Sequence, residues 1–169
     1  MNTCDHAIDN AVADDVAAMR AIYNRSVETE TASFDLEPLS AGDYRRWFDS
    51  HAGRFAVLAV KHNGVVLGYA SLSPFNPKPA FAIAAELSVY IAEAHRRRGL
   101  AAALLSAILA EARRGPLKTV VSLITANNTG SIRLHEKLGF RQVGTLHRCG
   151  EKFGQVLDVA IFEIDVSSP

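Results

Sequence analysis

Apolar residues recur along this chain with two periods, and the switches between them divide it into helices and strands. A short strand around residues 7–12 leads into a helix in which Val16, Met19, Ile22 and Tyr23 fall at helical spacing, with Asp14 or Asp15 able to cap it. After a polar stretch that turns aromatic at Phe34, Ser40 opens a second helix, with Asp43 as a capping-box variant. Two β-rich runs, 55–60 and 65–72, flank His62-Asn63-Gly64, and Asn-Gly between apolar runs predicts a tight hairpin. Residues 73–80 hold Pro74, Pro77 and Pro79 and read as a stiff loop. A fourth strand near 81–91 alternates, so that Leu87, Val89 and Ile91 face one way and Glu86, Ser88 and Tyr90 the other. The stretch 100–112 is apolar nearly all round and predicts a helix buried against the sheet. A fifth strand over 118–124 follows, and then Asn127-Asn128-Thr129 opens a helix carrying Ile132, Leu134 and Leu138 that Gly139 ends. Two last strands, about 141–148 and 156–164, surround Lys152-Phe153-Gly154, a hairpin turn. Hairpins mixed with crossover helices predict an α/β sheet with helices on both faces, built as a single domain over residues 1–169.

Composition narrows the function. Lys and Arg number 18, as do Asp and Glu, so positive charge is local and nucleic acid is not an expected partner. No apolar run approaches the roughly 20 residues of a membrane span, which leaves no expected membrane partner. The first six residues lack the basic start and apolar core of a signal peptide, which predicts a cytoplasmic location. Cys4 and Cys149 stand far apart without a Cys-x-x-Cys grouping, and the six histidines show no ligand spacing, so neither a disulfide nor a metal is expected.

Candidate chemistry concentrates in three places. Arg96-Arg97-Arg98-Gly99 runs into Leu100, Ala101 and Ala102 where a strand gives way to a helix, so free backbone N–H groups and positive charge coincide at one helix start. That suits a phosphate; a solvated basic turn is the plainer alternative. Glu86 is a lone carboxylate in an otherwise apolar strand, either a general base about ten residues before that turn or an exposed edge residue. Asn128 is an N-cap by its chemistry, and His135 near a helix C-terminus would be favoured as an imidazolium by the dipole, or would be a core histidine bonded to a neighbouring carbonyl.

The run from Arg96 to Ala101 resembles the acetyl-CoA signature of the GNAT N-acetyltransferases. The likeness extends over nearly the whole chain, through Phe34-Asp35-Leu36-Glu37-Pro38, Gly68-Tyr69-Ala70-Ser71, Glu86-Leu87-Ser88-Val89-Tyr90, His135-Glu136-Lys137-Leu138-Gly139-Phe140 and Lys152-Phe153-Gly154, to the phosphinothricin and methionine sulfoximine branch. The resemblance implies a GNAT fold with a mixed, mostly antiparallel sheet of about seven strands whose fourth and fifth members splay apart. Acetyl-CoA would then lie against Val89, Tyr90, Ile91, the residues from Arg96 to Ala102, and Asn128. It implies Glu86 as general base and His135 as the acid for the thiolate. Substrate contacts fall at Phe34, Phe75, Asn76, Pro77, Lys78, Glu86, Leu87 and Ser88, and the protein is expected as a homodimer acting on a small-molecule amine. The chain departs from the branch at Asn76 and Ala82, where arginines are usual, and asparagine cannot replace a bidentate guanidinium. The implied reaction is direct acetyl transfer in a ternary complex; a catalytically silent acyl-CoA sensor and a protein amine acetyltransferase are the alternatives.

Overall fold

The computed structural model describes residues 6–51 and 53–167. Cys4 lies outside them, and Cys149 is a free, exposed thiol. The elements in order are β1 (Ala7–Asn10), α1 (Val16–Thr29), α2 (Ala41–Asp49), β2 (Val57–His62), β3 (Val65–Pro74), β4 (Ala84–Ile91), α3 (Leu100–Arg114), β5 (Thr119–Thr125), α4 (Thr129–Lys137), β6 (Arg141–Lys152) and β7 (Gln155–Asp165). They build one seven-stranded sheet in the order β1-β2-β3-β4-β5-β7-β6, antiparallel except at β4–β5.

That parallel junction is short. Ala84, Ala85 and Glu86 pair with Thr119, Val120 and Val121, and there the ladder stops. Beyond it β4 is held only by β3 and β5 only by β7, so the two strands part and leave a row of main-chain groups without a ladder partner on each.

The alternation read in β4 sorts the two faces. Leu87 and Ile91 join Leu100, Leu104, Leu105, Ile108 and Leu109 of α3 in the larger core, against which Ile132, Leu134 and Leu138 of α4 also pack. Burying each such Leu or Ile contributes about 1.5–3 kcal/mol, which is what fixes α3 flat on the sheet. The opposite face is covered by α1 and α2, where Val16, Met19, Tyr44 and Tyr69 are buried and Trp47 and Tyr90 pack against them.

Local signals explain most boundaries. Ser40 accepts the Asp43 N–H at 3.1 Å and Asn128 the Ser131 N–H at 3.1 Å, each satisfying an orphan donor of its helix. Asn63 and Gly64 (φ 49° and 79°) and Phe153 and Gly154 (φ 51° and 68°) make the two tight hairpin turns. Two expectations need correction. Asp15 does not cap α1; its carboxylate accepts the Val12 N–H at 2.8 Å and pairs with Lys61 at 2.6 Å. Phe81 is not in β4, because Pro79, with no N–H to give a ladder, starts a 3₁₀ turn over Pro79–Phe81 instead. Among the described residues no helix is long and apolar enough to cross a membrane, and no His, Cys, Asp and Glu side chains group as metal ligands.

Candidate active site

The basic turn makes its site with backbone. Arg97 (φ 58°) and Gly99 (φ 80°) both take left-handed conformations, and a Cβ built on Gly99 would meet no atom within 4 Å, so space stands open in front of it. Gly99 caps α3 with no side-chain hydrogen bond, leaving the first-turn N–H groups of Leu100, Ala101 and Ala102 free. These residues line a groove of about 420 Å³ that runs along Val89, Tyr90 and Ile91 to Asn128.

The arginines divide their work. Arg96 Nε donates to the Ile91 carbonyl at 3.1 Å, and its guanidinium pairs with Glu30 at 2.5 Å. Arg96 therefore braces the end of β4 against the end of α1, a tie that spacing alone did not suggest. Arg98 meets His95 Nδ1 at 3.1 Å, while Arg97 lines the groove.

Where β4 and β5 part, a narrow cleft of about 70 Å³ is lined by Leu87, Ser88, Tyr90, Ser122, Ile124 and His135. The Ser122 hydroxyl is buried there with no hydrogen-bond partner. A buried hydroxyl left unpaired costs about 1–3 kcal/mol, so the cleft is built to receive a polar atom. His135 is buried, with Phe140 edge-on at 4.9 Å. Its Nδ1 donates to the Ser131 carbonyl at 2.8 Å, and burial holds its pKa below the usual 6.5. The imidazolium expected from the helix dipole is thus displaced by desolvation, and the ring is neutral at pH 7.

Glu86 is the last β4 residue paired with β5. It is half-buried, and desolvation raises its pKa above the ordinary 4.5. Across the ladder it faces Ser73, which lines a second cavity of about 180 Å³ on the α1/α2 face. Tyr23, Tyr44, Trp47, Tyr69, Tyr90 and Asp35 form most of its wall. Sequence reasoning missed all of these except Tyr90 as site residues. Their helical and strand spacings are those of core residues, and only folding gathers positions so distant in the chain.

The loop between α1 and α2 is stitched down over this region. Lys152, buried on β6, donates through Nζ to the Ser33 carbonyl at 2.7 Å, and Tyr23 Oη meets Ser33 Oγ at 3.0 Å. Phe34 lies over Gly150, where a Cβ would collide with its ring, and lines neither the groove nor the aromatic cavity. The 75–78 loop also stands apart from both: Phe75 packs on Phe81 at 5.8 Å, and Asn76 Oδ1 accepts the Lys78 N–H at 3.0 Å. Pro77 and Lys78 are exposed. Beside position 82, Arg54 donates to the Ala82 carbonyl at 2.7 Å.

Known proteins share both pattern and shape. The model of the acetyltransferase (GNAT) family matches residues 17–140. An L-methionine sulfoximine/L-methionine sulfone acetyltransferase of Pseudomonas paraeruginosa is 35% identical, covering 95% of this chain and 94% of that one. A phosphinothricin N-acetyltransferase of Streptomyces coelicolor is 33% identical over 95% of this chain and 96% of its own. An acetyltransferase from Salmonella typhimurium, solved with its cofactor acetyl-CoA, superposes with a TM-score of 0.94 at 32% identity, over 98% of this chain and 96% of that chain. With a family match over most of its length, close relatives end to end and a parted β4–β5 junction at the centre of its sheet, the chain belongs to the GNAT acetyltransferase family.

Proposed function

We propose that residues 1–169 act as one acetyl-CoA-dependent N-acetyltransferase domain that acetylates the amine of a small amino-acid-like acceptor, of the methionine sulfoximine, methionine sulfone or phosphinothricin type. The observation that carries this is the position of Glu86, which ends the β4–β5 ladder at the head of the parted strands and faces Ser73 of the aromatic cavity. The groove suits the cofactor: it offers open space at Gly99, free N–H groups at a helix start and the orphaned Ser122 hydroxyl in the adjoining cleft. Leu100, Ala101, Ala102 and Arg97 would hold its phosphates, with Arg96 and Arg98 adding charge. Val89, Tyr90, Ile91 and Asn128 would flank the pantetheine.

Acetyl-CoA supplies the acyl group as a thioester, for direct transfer to the acceptor nitrogen. Glu86 takes the ammonium proton, directly or through water, and its raised pKa brings it nearer the working pH of a general base. Main-chain N–H groups of β4 near Tyr90 stabilise negative charge on the carbonyl oxygen. His135 stands at the thiol end; being neutral, it donates only after taking a proton from solvent, so His135→Phe costs less than loss of Glu86.

The acceptor loop sets the anion preference. Neither Asn76, which is bound to the Lys78 N–H, nor Ala82 carries a guanidinium, and Arg54 already spends Nη1 on the Ala82 carbonyl, so a phosphinate meets a weaker grip here. One charge-assisted hydrogen bond is worth about 1.5–3 kcal/mol, or roughly 10- to 150-fold. Thiol release from acetyl-CoA is therefore expected with methionine sulfone at a kcat/KM that exceeds that for phosphinothricin by about that factor. Equal values would mean that Arg54 or Lys78 grips the anion, and no release with any amino acid would end the acetyltransferase proposal.

We further propose a cytoplasmic homodimer. Its support is the exposed apolar set Val143, Leu146, Phe153 and Val156 at the β6–β7 end of the sheet. Sedimentation equilibrium should find a dimer for the wild type and a weakened one for Leu146→Lys; a monomeric wild type refutes it.

A further inference from the structure

The cavity on the α1/α2 face is more aromatic and more negative than a sulfone acceptor requires. Tyr23 meets Tyr90 edge-on at 5.1 Å, Tyr69 stacks on Tyr90 at 5.4 Å, and Tyr44 lies 4.8 Å from Trp47. They enclose about 180 Å³, the liquid volume of about six waters at roughly 30 Å³ each, which admits a side chain but not a whole amino acid. Asp35 lines the same space and accepts from Tyr23 Oη at 2.5 Å. Burial, and then the Asp35 hydrogen bond, push the Tyr23 phenol up to about 12, and burial raises Tyr44, Tyr69 and Tyr90 as well, so all four rings stay neutral. Tyr44 Oη is buried, with the Tyr69 hydroxyl as its polar neighbour.

Among the described residues no cationic side chain lines the cavity. Glu86 stands across from Ser73, and His51, bonded to Ser73 Oγ at 3.0 Å, is kept neutral by burial. Arg20 donates to the Leu39 carbonyl and Lys152 to the Ser33 carbonyl, and neither lines the cavity. Lys152 lies within electrostatic reach of Asp35 and offsets part of its charge, but its ammonium is spent on the Ser33 carbonyl. Ring faces and a carboxylate together attract an ammonium, whereas a carboxylate or phosphinate there would meet like charge.

We propose that this cavity selects acceptors with a second, cationic nitrogen: basic α-amino acids the size of ornithine or lysine, their side-chain ammonium held among Tyr23, Tyr44, Trp47, Tyr69 and Asp35 while the α-amine meets Glu86. The assignment rests on the acceptor side of the acetyltransferase proposal and ranks basic amino acids above the sulfone.

Trp47 is the only tryptophan in the chain, so its fluorescence reports occupancy without any turnover. L-Lysine, neutral L-norleucine and anionic L-2-aminoadipate would be titrated in parallel, followed by thiol-release assays with the same three. Lysine is expected to bind about tenfold or more tighter than norleucine, with aminoadipate weakest. In Asp35→Asn, at an exposed position where the amide oxygen still accepts from Tyr23 Oη, the lysine-to-norleucine ratio should collapse to about threefold or less. Norleucine binding as tightly as lysine, or a ratio unchanged in Asp35→Asn, overturns the assignment. A lysine preference in fluorescence with no thiol release from any amine would keep the cavity and reject the acetyltransferase proposal; thiol release that favours norleucine would do the reverse.

Discussion

Glu86→Gln is expected to lower kcat by roughly 10²–10⁴-fold, the usual worth of a general base, with little change in the KM for acetyl-CoA. Gln keeps the shape and the ladder position but cannot take a proton. Since burial raises the Glu86 pKa above 4.5, the wild-type kcat/KM should fall as pH drops through that raised value, and the variant should lose that limb of the profile. Stability moves the opposite way. A carboxyl whose folded pKa exceeds its unfolded one costs stability as pH rises from the unfolded value through the folded one, and the full cost stands above it, because the ionised form is the one that burial disfavours. The glutamine protein should therefore melt no lower than wild type at pH 7, a result that separates lost chemistry from lost structure. Turnover at the wild-type rate would make Glu86 a structural residue.

Gly68→Ala should have the largest effect on the fold among single-methyl additions. Gly68 lies on β3 opposite Ile91, and a Cβ there would sit 2.7 Å from the Tyr90 carbonyl oxygen and 2.5 Å from Ile91 Cδ1. The Ile91 methyl can swing aside, but the Tyr90 carbonyl belongs to the strand that walls the groove and can move only with it. Overpacking of this kind costs about 1–3 kcal/mol, and near the upper end the melting temperature of a chain this long drops by roughly 6–12 °C. Because the shifted strand carries Val89, Tyr90 and Ile91, the KM for acetyl-CoA should rise as well. Ala at Gly144, where a Cβ would meet nothing within 4 Å, is the control and should change neither. An unperturbed melt for Gly68→Ala would mean that β3 and β4 can part at no cost, contrary to their close pairing.

Much of this is legible in the amino-acid order. The period of two from Glu86 to Ile91 correctly sorted the two faces of β4, because a strand buried on both sides still alternates in chemistry when one side holds a polar site. Asn63-Gly64, Ser40 and Asn128 marked a turn and two caps because each supplies a conformation or an acceptor that few other residues can. The glycine turn into α3 was legible for the same reason. Asn128 caps α4, as its chemistry predicts, and also lines the groove.

Local chemistry in the amino-acid order therefore marked most helices and strands, the polar face of β4, and the glycine turn at the start of α3. Tertiary structure alone decided the rest, since each remaining feature depends on side chains far apart in the chain arriving at one place. The aromatic cavity draws on α1, α2, β3 and β4, and Arg96 proved to be tied to Glu30 across the groove. Arg54 stands beside Ala82, and Lys152 reaches the Ser33 carbonyl over a separation of 119 residues. The charge on His135 was likewise decided by packing: the dipole at a helix end favours the imidazolium by some tenths of a kcal/mol to about 1, and desolvation beneath Phe140 and Phe162 outweighs it. Propensity acts between neighbours in sequence, while desolvation and ion pairing depend on distance in space, and only the folded chain sets those distances.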